Sequence, residues 1–471
     1  MNTGADRSRM MLSDVKEKKQ YLPSTSWDTI GIQGRELYSE NLANIETDFV
    51  DAFYTKHVAF FLNTKRGLNT YFTSSAQKNI VDIINTNILN DINIEETTLS
   101  HHIKVYFFSE DGTLIALKDS DVHEYKRVFQ NDSIILEVEE ISDYKCVMLL
   151  EDGYWKIRHL VKENTRDNDY QPIFHKSYIN MKGMNYYPKD QPWKMYGKKF
   201  APDVIDKDFA FIKASGLNSI RIFVPYEAFG GANVNDIMLK QLHTTMNLAY
   251  NNDLKVMVTL FDFYGNYDMY DWTLNQRHTE TIVNKLKDHP ALMAWDIKNE
   301  PDLDMPNRGE NTVRAWLRNM IRYIKTIDPN TPVTIGWSSA EAADDLVEEV
   351  DFVSFHFYLH LPLFEETYLK LKEKVGDKQV VVQEFGLSSY DGFWFPFGND
   401  ELDQAEYHKT MQKHFKKYNL SFVSWTLYDF EEVPNAVLGW KPWLKSLQKH
   451  YGFVDYKGRK KPAFKYIAGP N

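Results

Sequence analysis

Between residues 35 and 57 the apolar positions Leu37, Leu42, Ile45, Phe49 and Phe53 fall at helical spacing, and residues 76–84 repeat the pattern. The period then shortens. Strand-like runs follow at 103–108, 114–117, 133–139, 145–150 and 154–160, with turn signals at Asp111-Gly112, Asn131-Asp132 and Asp152-Gly153. From about residue 178 short apolar runs alternate with helical patterns. The runs lie at 178–186, 218–224, 255–261, 292–298, 332–337, 352–357, 379–385 and 422–427, and helical patterns include 202–215, 234–251, 280–287, 311–327, 364–375 and 400–418. Strands apolar on both faces and separated by helices predict a parallel sheet covered by helices. Eight such units in about 290 residues favour a closed (β/α)8 TIM barrel over an open sheet, since such a barrel needs about 250. No Gly-rich phosphate fingerprint follows any of the strands.

Polar stretches divide the chain. Residues 1–34, with a charge run at 16–19 and the stretch Pro23-Ser24-Thr25-Ser26, read as a tail or linker. Residues 35–165 form the smaller α+β accessory domain, the charged stretch 162–172 is the boundary, and 175–467 is the barrel. The fold class is therefore α/β, a TIM barrel preceded by an α+β domain.

Composition narrows the function classes. Hydrophobic residues at 43% and charged residues at 26% suit an ordinary globular chain. A net charge of −11 opposes nucleic-acid binding, which needs clustered Lys and Arg. No apolar run approaches the roughly 18 residues of a membrane span. The first 20 residues lack the apolar core of a signal peptide, which leaves the compartment open: cytoplasmic, or secreted or periplasmic if a signal was removed. The lone cysteine, Cys146, in the apolar run Cys146-Val147-Met148-Leu149-Leu150, reads as a buried structural thiol and excludes a Cys-based zinc cluster. No His-Glu-x-x-His and no dense His or Asp cluster is present, so neither metal nor other cofactor is expected. Aromatic residues reach 14%, which suits stacking on sugar rings as well as core packing.

In a barrel the catalytic groups project from the C-terminal strand ends. The fourth strand ends Asp296-Ile297-Lys298-Asn299-Glu300-Pro301, and the seventh ends Val382-Gln383-Glu384-Phe385-Gly386. A carboxylate at the end of an apolar strand has little structural reason to be there, and strands four and seven face each other across the mouth. Two facing carboxylates are what glycoside hydrolysis requires. At ~5–5.5 Å one attacks the sugar directly with net retention; at ~6.5–9.5 Å a water fits between them and the outcome inverts. The plain structural alternative has Glu300 capping the segment after Pro301 and Glu384 pairing with a surface Lys.

The run His289-Pro290-Ala291-Leu292-Met293-Ala294-Trp295-Asp296-Ile297-Lys298-Asn299-Glu300-Pro301, with Gln383-Glu384-Phe385-Gly386 following, resembles the clan A glycoside hydrolases. It is most similar to family 5, the cellulase and mannanase type, and family 2 barrels are also similar. The resemblance covers about residues 175–467. It implies that Glu300 is the general acid/base and Glu384 the nucleophile of a retaining reaction on β-glycosidic bonds in a glucan, mannan or related poly- or oligosaccharide. Asn299 then bonds the sugar 2-hydroxyl, and Arg221 matches the strand-two arginine that holds the nucleophile and keeps it ionised. His356 and Tyr358 match the strand-six pair, with Tyr358 bonding the nucleophile and His356 bordering the acid/base. Trp425 matches the strand-eight sugar platform.

One departure stands out. Many family 5 enzymes carry a His at or just after strand three, where this chain reads Thr259-Leu260-Phe261-Asp262-Phe263. Asp262 then takes over the sugar contact, or the substrate differs from the cellulose type. Trp272, Trp337 and Trp394 are further platform candidates, the last in the aromatic loop 390–397. The departure keeps two other outcomes open: a non-hydrolytic carbohydrate-binding protein, and a transglycosidase using the same glutamate pair.

Helices followed by a sheet that closes with Tyr154-Trp155-Lys156-Ile157-Arg158 resemble the nuclear transport factor 2-like cone over residues 35–165. A β-sandwich accessory domain is the rival reading. Packing, formation of a homodimer and small-ligand binding are the roles left open for this domain.

Overall fold

The structure is a computed structural model that describes residues 20–131, 133–168, 170–171 and 179–469. The expected tail as far as residue 19, the turn residue Asp132 and Tyr178 at the head of the first barrel run lie outside these residues. The chain divides into two compact units, Met1–Gln171 with Asp268–Leu274, and Pro172–Tyr267 with Asn275–Asn471.

The first unit contains β1 (Ser24–Asp28), β2 (Gln33–Gly34), α1 (Ser39–Phe61), α2 (Leu68–Tyr71), α3 (Ser74–Leu89), β3 (Ile92–Phe108), β4 (Leu114–Gln130), β5 (Ser133–Glu151) and β6 (Tyr154–Asp167). One sheet runs in the order β1-β3-β4-β5-β6, with β2 also on β3. It is a single sheet with helices on it, not two packed sheets, so the sandwich reading falls. The periodic apolar stripe of α1, Ile45, Phe49, Ala52 and Phe53, is buried with Ile103, Ile115, Met148 and Ile157 of the sheet. Asp48 on the same helix accepts a bond from the Trp155 backbone N–H at 2.8 Å and so ties α1 to the closing strand. Cys146 is buried in this core, and burial pushes its thiol well above the usual range.

Two sequence expectations need correction here. Residues 24–34, read as part of a tail, form β1 and β2, which pair in parallel with β3. Backbone pairing with β3 holds them there, and Trp27 packs against Phe49 of α1 with ring centroids 5.9 Å apart. The runs 133–139 and 145–150 are one strand, β5. The polar residues between them do not turn the chain: Glu140 pairs with Lys162 at 3.1 Å and Asp143 accepts from Asn164 at 3.3 Å, both on β6.

The second unit is a closed barrel of eight parallel strands. They are β7 (Lys182–Asn185), β8 (Ser219–Pro225), β9 (Lys255–Asp262), β10 (Leu292–Asn299), β11 (Val333–Trp337), β12 (Val353–Phe357), β13 (Val380–Phe385) and β14 (Ser421–Ser424). β14 pairs with β7 and closes the ring. The connections carry α4 (Pro202–Ala214), α5 (Asp236–Asn251), α6 (Trp272–Leu286), α7 (Met305–Arg308), α8 (Glu310–Ile327), α9 (Phe364–Val375) and α10 (Glu401–Tyr418), with α11 (Asn435–Leu438) and α12 (Pro442–Gln448) following β14. Local chemistry sets several starts. Pro202 opens α4, Asn235 caps α5, and Asp400 with Asp403 forms a reciprocal capping box at α10. Inside the ring Met181, Met257, Ala294, Val381 and Val423 fill the lower barrel, which leaves the upper strand ends for polar groups. Among the described residues no helix is long and apolar enough to cross a membrane.

Candidate active site

A cavity of roughly 530 Å³ opens at the C-terminal strand ends, lined among others by Asp262, Lys298, Asn299, Glu300, Asp304, Tyr358, Glu384 and Trp425. Its framework is Arg221 on β8, fully buried. The guanidinium donates to Asp296 Oδ2 from Nε at 3.0 Å and from Nη2 at 2.7 Å. Nη2 also donates to Asn299 Oδ1 at 2.8 Å, and Nη1 to Asn185 Oδ1 at 3.1 Å and to Glu384 Oε2 at 3.3 Å. Thr259 adds a 2.6 Å bond to Asp296. Asp296 neutralises the buried cation, and the planar guanidinium then reaches three further groups, which an ammonium cannot do at once.

This arrangement orients the amide of Asn299. Its oxygen is held by Arg221, so its NH2 is turned from the guanidinium and is free to donate in the cavity it lines. Glu384 is fixed on two sides, by Arg221 and by the Tyr358 hydroxyl, which donates to Oε1 at 2.6 Å. Glu300 Oε1 lies 2.8 Å from His356 Nδ1. Asn299 and Glu300 are chain neighbours, which in a regular strand point to opposite faces. Here β10 shifts register between Asp296 and Asn299, and Glu300 sits in the left-handed region at φ 49°. Both side chains therefore reach the cavity. A non-glycine residue held in that conformation is strained, and such strain is concentrated at functional sites.

One oxygen of Glu300, one of Glu384 and one ring nitrogen of His356 lie within 4.8 Å of one another. The electrostatics of the three are shared. Burial raises the pKa of Glu384, and the negative Glu300 adds to this against His356, Arg221 and Tyr358. For Glu300 burial also raises the pKa, but the bond to His356 and its charge outweigh it, so the net direction is downward. Burial works against a charged His356, yet the two carboxylates carry its pKa above the usual value. Arg221 alone thus does not decide which carboxylate is ionised. The lowered Glu300 and the raised His356 favour a carboxylate–imidazolium pair, and the two glutamates titrate together. The same three atoms could also grip a cation. The guanidinium beside Glu384 already supplies positive charge at that point.

Asp262, the departure on β9, lines the cavity and accepts from the Tyr187 hydroxyl at 3.2 Å. Burial pushes its pKa up to about 6, against Arg221 and Lys298, which lower it. Trp425 also lines the cavity, and its buried Nε1 has no partner among the described residues. Its peptide bond to Thr426 is cis.

The other tryptophans lie elsewhere. Trp337 is 2% exposed at the end of β11 and does not line the cavity, so it has no face to offer there. Trp272 is buried in the first unit against Tyr125, ring centroids 4.6 Å apart, and is a core residue. Trp394 is exposed and likewise outside the lining.

Several participants were not singled out from sequence. Asp296 and Lys298 precede Glu300 at steps of two along β10, a period that places them on the inward face, and this signal was available. Asn185, Tyr187, Trp193, Asp304 and Tyr451 carried no such signal, because they come from loops or from strand ends with no chemical signature. Lys298 is paired with Asp304 at 3.2 Å.

Residues 168–431 match the cellulase family, glycosyl hydrolase family 5. The chain belongs to glycosyl hydrolase family 5. This family 5 chain is also similar to the β-glucuronidases of Chlorocebus aethiops, 26% identical over 52% of this chain and 38% of the relative, and of Homo sapiens, 25% identical over 54% and 39%. A putative mannan endo-1,4-β-mannosidase of Arabidopsis thaliana is 25% identical over 27% of this chain and 42% of its own. The chain therefore spans about two-fifths of the length of these relatives. Among solved structures, the exo-β-1,4-mannosidase of Opitutaceae bacterium strain TAV5 has a similar fold, with a TM-score of 0.50, 19% identity and coverage of 61% of this chain and 58% of that one.

Proposed function

We propose that this family 5 barrel hydrolyses β-glycosidic bonds of a neutral glycan, a glucan, mannan or related chain, with net retention of configuration. The observation that carries the reading is the approach of the Glu300 and Glu384 carboxylates, with an oxygen of each within 4.8 Å. Carboxylate oxygens that approach this closely favour direct attack over an interposed water, for which the two carboxyl groups stand roughly 6.5–9.5 Å apart.

In the first step a Glu384 oxygen attacks the anomeric carbon. The bond from that carbon to the leaving oxygen breaks, and the leaving oxygen takes a proton from Glu300. In the second, Glu300 removes a proton from water, whose oxygen attacks the same carbon and releases Glu384. The His356 contact gives Glu300 a partner from which the proton is supplied and to which it is returned. The Asn299 amide supports the reading by offering its NH2 to a sugar hydroxyl, a bond that gains strength as the carbon becomes cationic.

A neutral sugar is favoured by charge. The lining places Asp262, Glu300, Asp304 and Glu384 beside Lys298, which Asp304 pairs, while Arg221 is bound by Asp296 and His356 by Glu300, so each of these cations already faces a carboxylate. A uronate would enter a field of its own sign, so we do not extend the substrate in the name of the glucuronidases to this chain.

Aryl β-glucosides and β-mannosides test the proposal. Glu384→Ala is expected to lose about a thousandfold or more in kcat, with turnover partly restored by azide as an α-glycosyl azide. Unchanged hydrolysis in that variant, or an inverted product from the parent enzyme, overturns it.

A further inference from the structure

The smaller unit holds a cavity of its own, of roughly 440 Å³, lined from α1, α3 and the sheet and lying wholly within that unit. Sites for small molecules have volumes of ~300–1,000 Å³, mostly apolar walls and a few placed polar groups. The walls here have that character. Phe60, Phe72, Ile80 and Ile157 are buried along them, and Ile83 and Val161, 44% and 54% exposed, carry the apolar surface out to solvent.

The charges of the lining are unequal. Lys56, Lys126, Arg158 and Lys162 stand against one carboxylate, Glu96. Glu96 faces Lys56 at 3.1 Å and Lys126 at 3.8 Å. Behind the lining, Glu124 and Glu140 meet Lys162 at 2.6 and 3.1 Å. Four cations thus face three carboxylates. Arg158 is the one left without a carboxylate among the described residues, and it donates to the Ser75 hydroxyl. This surplus of positive charge sits in a chain of net charge −11.

Local structure aims the odd cation. β6 pairs with β5 as Met148 with Ile157 and next as Val147 with His159, so Arg158 is an extra residue with no partner across the ladder. A bulge of this kind bends a strand and re-aims a side chain. Here it turns Arg158 toward Ser75 of α3 and into the lining of the cavity.

We infer that this cavity binds a small amphipathic carboxylate, its charged head on the Arg158 guanidinium and its hydrocarbon or aryl body against Phe60, Phe72 and Ile80. The planar guanidinium matches a carboxylate with two parallel N–H bonds. One negative charge completes the balance of four against three. A phosphate dianion exceeds it and makes no use of the apolar wall. A neutral sugar leaves Arg158 uncompensated, so the site is distinct in its chemistry from the one at Glu300 and Glu384.

Calorimetric titration of the full chain with sodium decanoate, kept below its micelle concentration, is expected to show one site per chain. Arg158→Ala should weaken it about tenfold, as the loss of a hydrogen-bonded ionic contact implies, and Arg158→Lys should recover part of that loss. Ile83→Glu sets a carboxylate where the apolar wall meets solvent and should weaken binding to a similar degree. Neither side chain belongs to the buried core of this unit, so both variants keep the fold. Decanoate should displace 8-anilinonaphthalene-1-sulfonate from the chain, whereas decanol and inorganic phosphate, each with half of the ligand's chemistry, should not. Absence of a decanoate site overturns the inference, as does an affinity that neither Arg158→Ala nor Ile83→Glu alters. Displacement by decanol as strong as by decanoate reduces the site to an apolar hole, and displacement by phosphate reduces it to a general anion patch; either result overturns it.

Discussion

Arg221 is the residue on which the site depends most. It is buried, bound to Asp296, Asn299, Asn185 and Glu384, and each of those bonds fixes a group with a task at the strand ends. Replacing it with Met removes the guanidinium from the buried charges of Asp296 and Glu384, which keep only their bonds from Thr259 and Tyr358, a change expected to cost about 3–5 kcal/mol. Urea denaturation of Arg221→Met should move its midpoint accordingly, with hydrolysis lost together with the orientation of Asn299. An unshifted midpoint removes the framework role. The two glutamates were legible in the sequence because each breaks an apolar run where a carboxylate is costly. The aim of Glu300 was not. It depends on a left-handed backbone and a shift of register, features that a hydropathy pattern does not carry. Nor could the tryptophans be sorted. Trp425, Trp337 and Trp394 are equally aromatic on paper, and only burial separates the one at the cavity from a core residue and a surface one.

At the scale of elements the barrel was readable and the smaller unit less so, for one physical reason. Barrel strands are buried on both faces, so β13 appears as the unbroken run Val380-Val381-Val382. The strands of the first unit face solvent over much of their length, and their charged stretches read as gaps between strands. β5 continues through Glu140 and Asp143 because β6 supplies partners across the ladder, a fact about two strands and not about either alone. Helix starts were read to within two residues at α4, α5, α8, α9 and α10, but α6 begins at Trp272, eight residues before the pattern at 280–287. Asp400 accepts from the N–H groups of Leu402 and Asp403 at 2.7 and 2.9 Å, and Asp403 returns a bond to the Asp400 N–H. Asp400→Ala is expected to destabilise α10 by about 1 kcal/mol. Equilibrium unfolding monitored by circular dichroism measures it, and a change below a few tenths dismisses the box as a stabilising device.

The molecule as a whole holds several imidazoles in apolar surroundings. Burial pushes His57 and His408 down to about 3 and His278 to about 4. An unfolded chain protonates these groups near pH 6.5, whereas the folded one resists until far lower. Unfolding therefore takes up protons in this window. Each group's contribution is complete above about pH 6.5 and is lost on acidification at about 1.4 kcal/mol per pH unit, down to its folded pKa. His408 is the clearest case, its ring tilted at 47° to that of Phe453 with centroids 4.4 Å apart, and neither ring nitrogen hydrogen-bonded among the described residues. His408→Phe should keep the fold and flatten the fall of Tm between pH 6.5 and 4.5, and an unchanged slope rules His408 out as a contributor.

The buried Cys146 has a practical consequence. It is the single thiol of the chain and is closed to solvent, so the parent protein should stay silent toward maleimides under native conditions. A cysteine placed on the surface then becomes a unique chemical address. A fluorophore on Lys441→Cys, beside the exposed Trp440, would report on the surroundings of that one segment, with no native thiol to remove first.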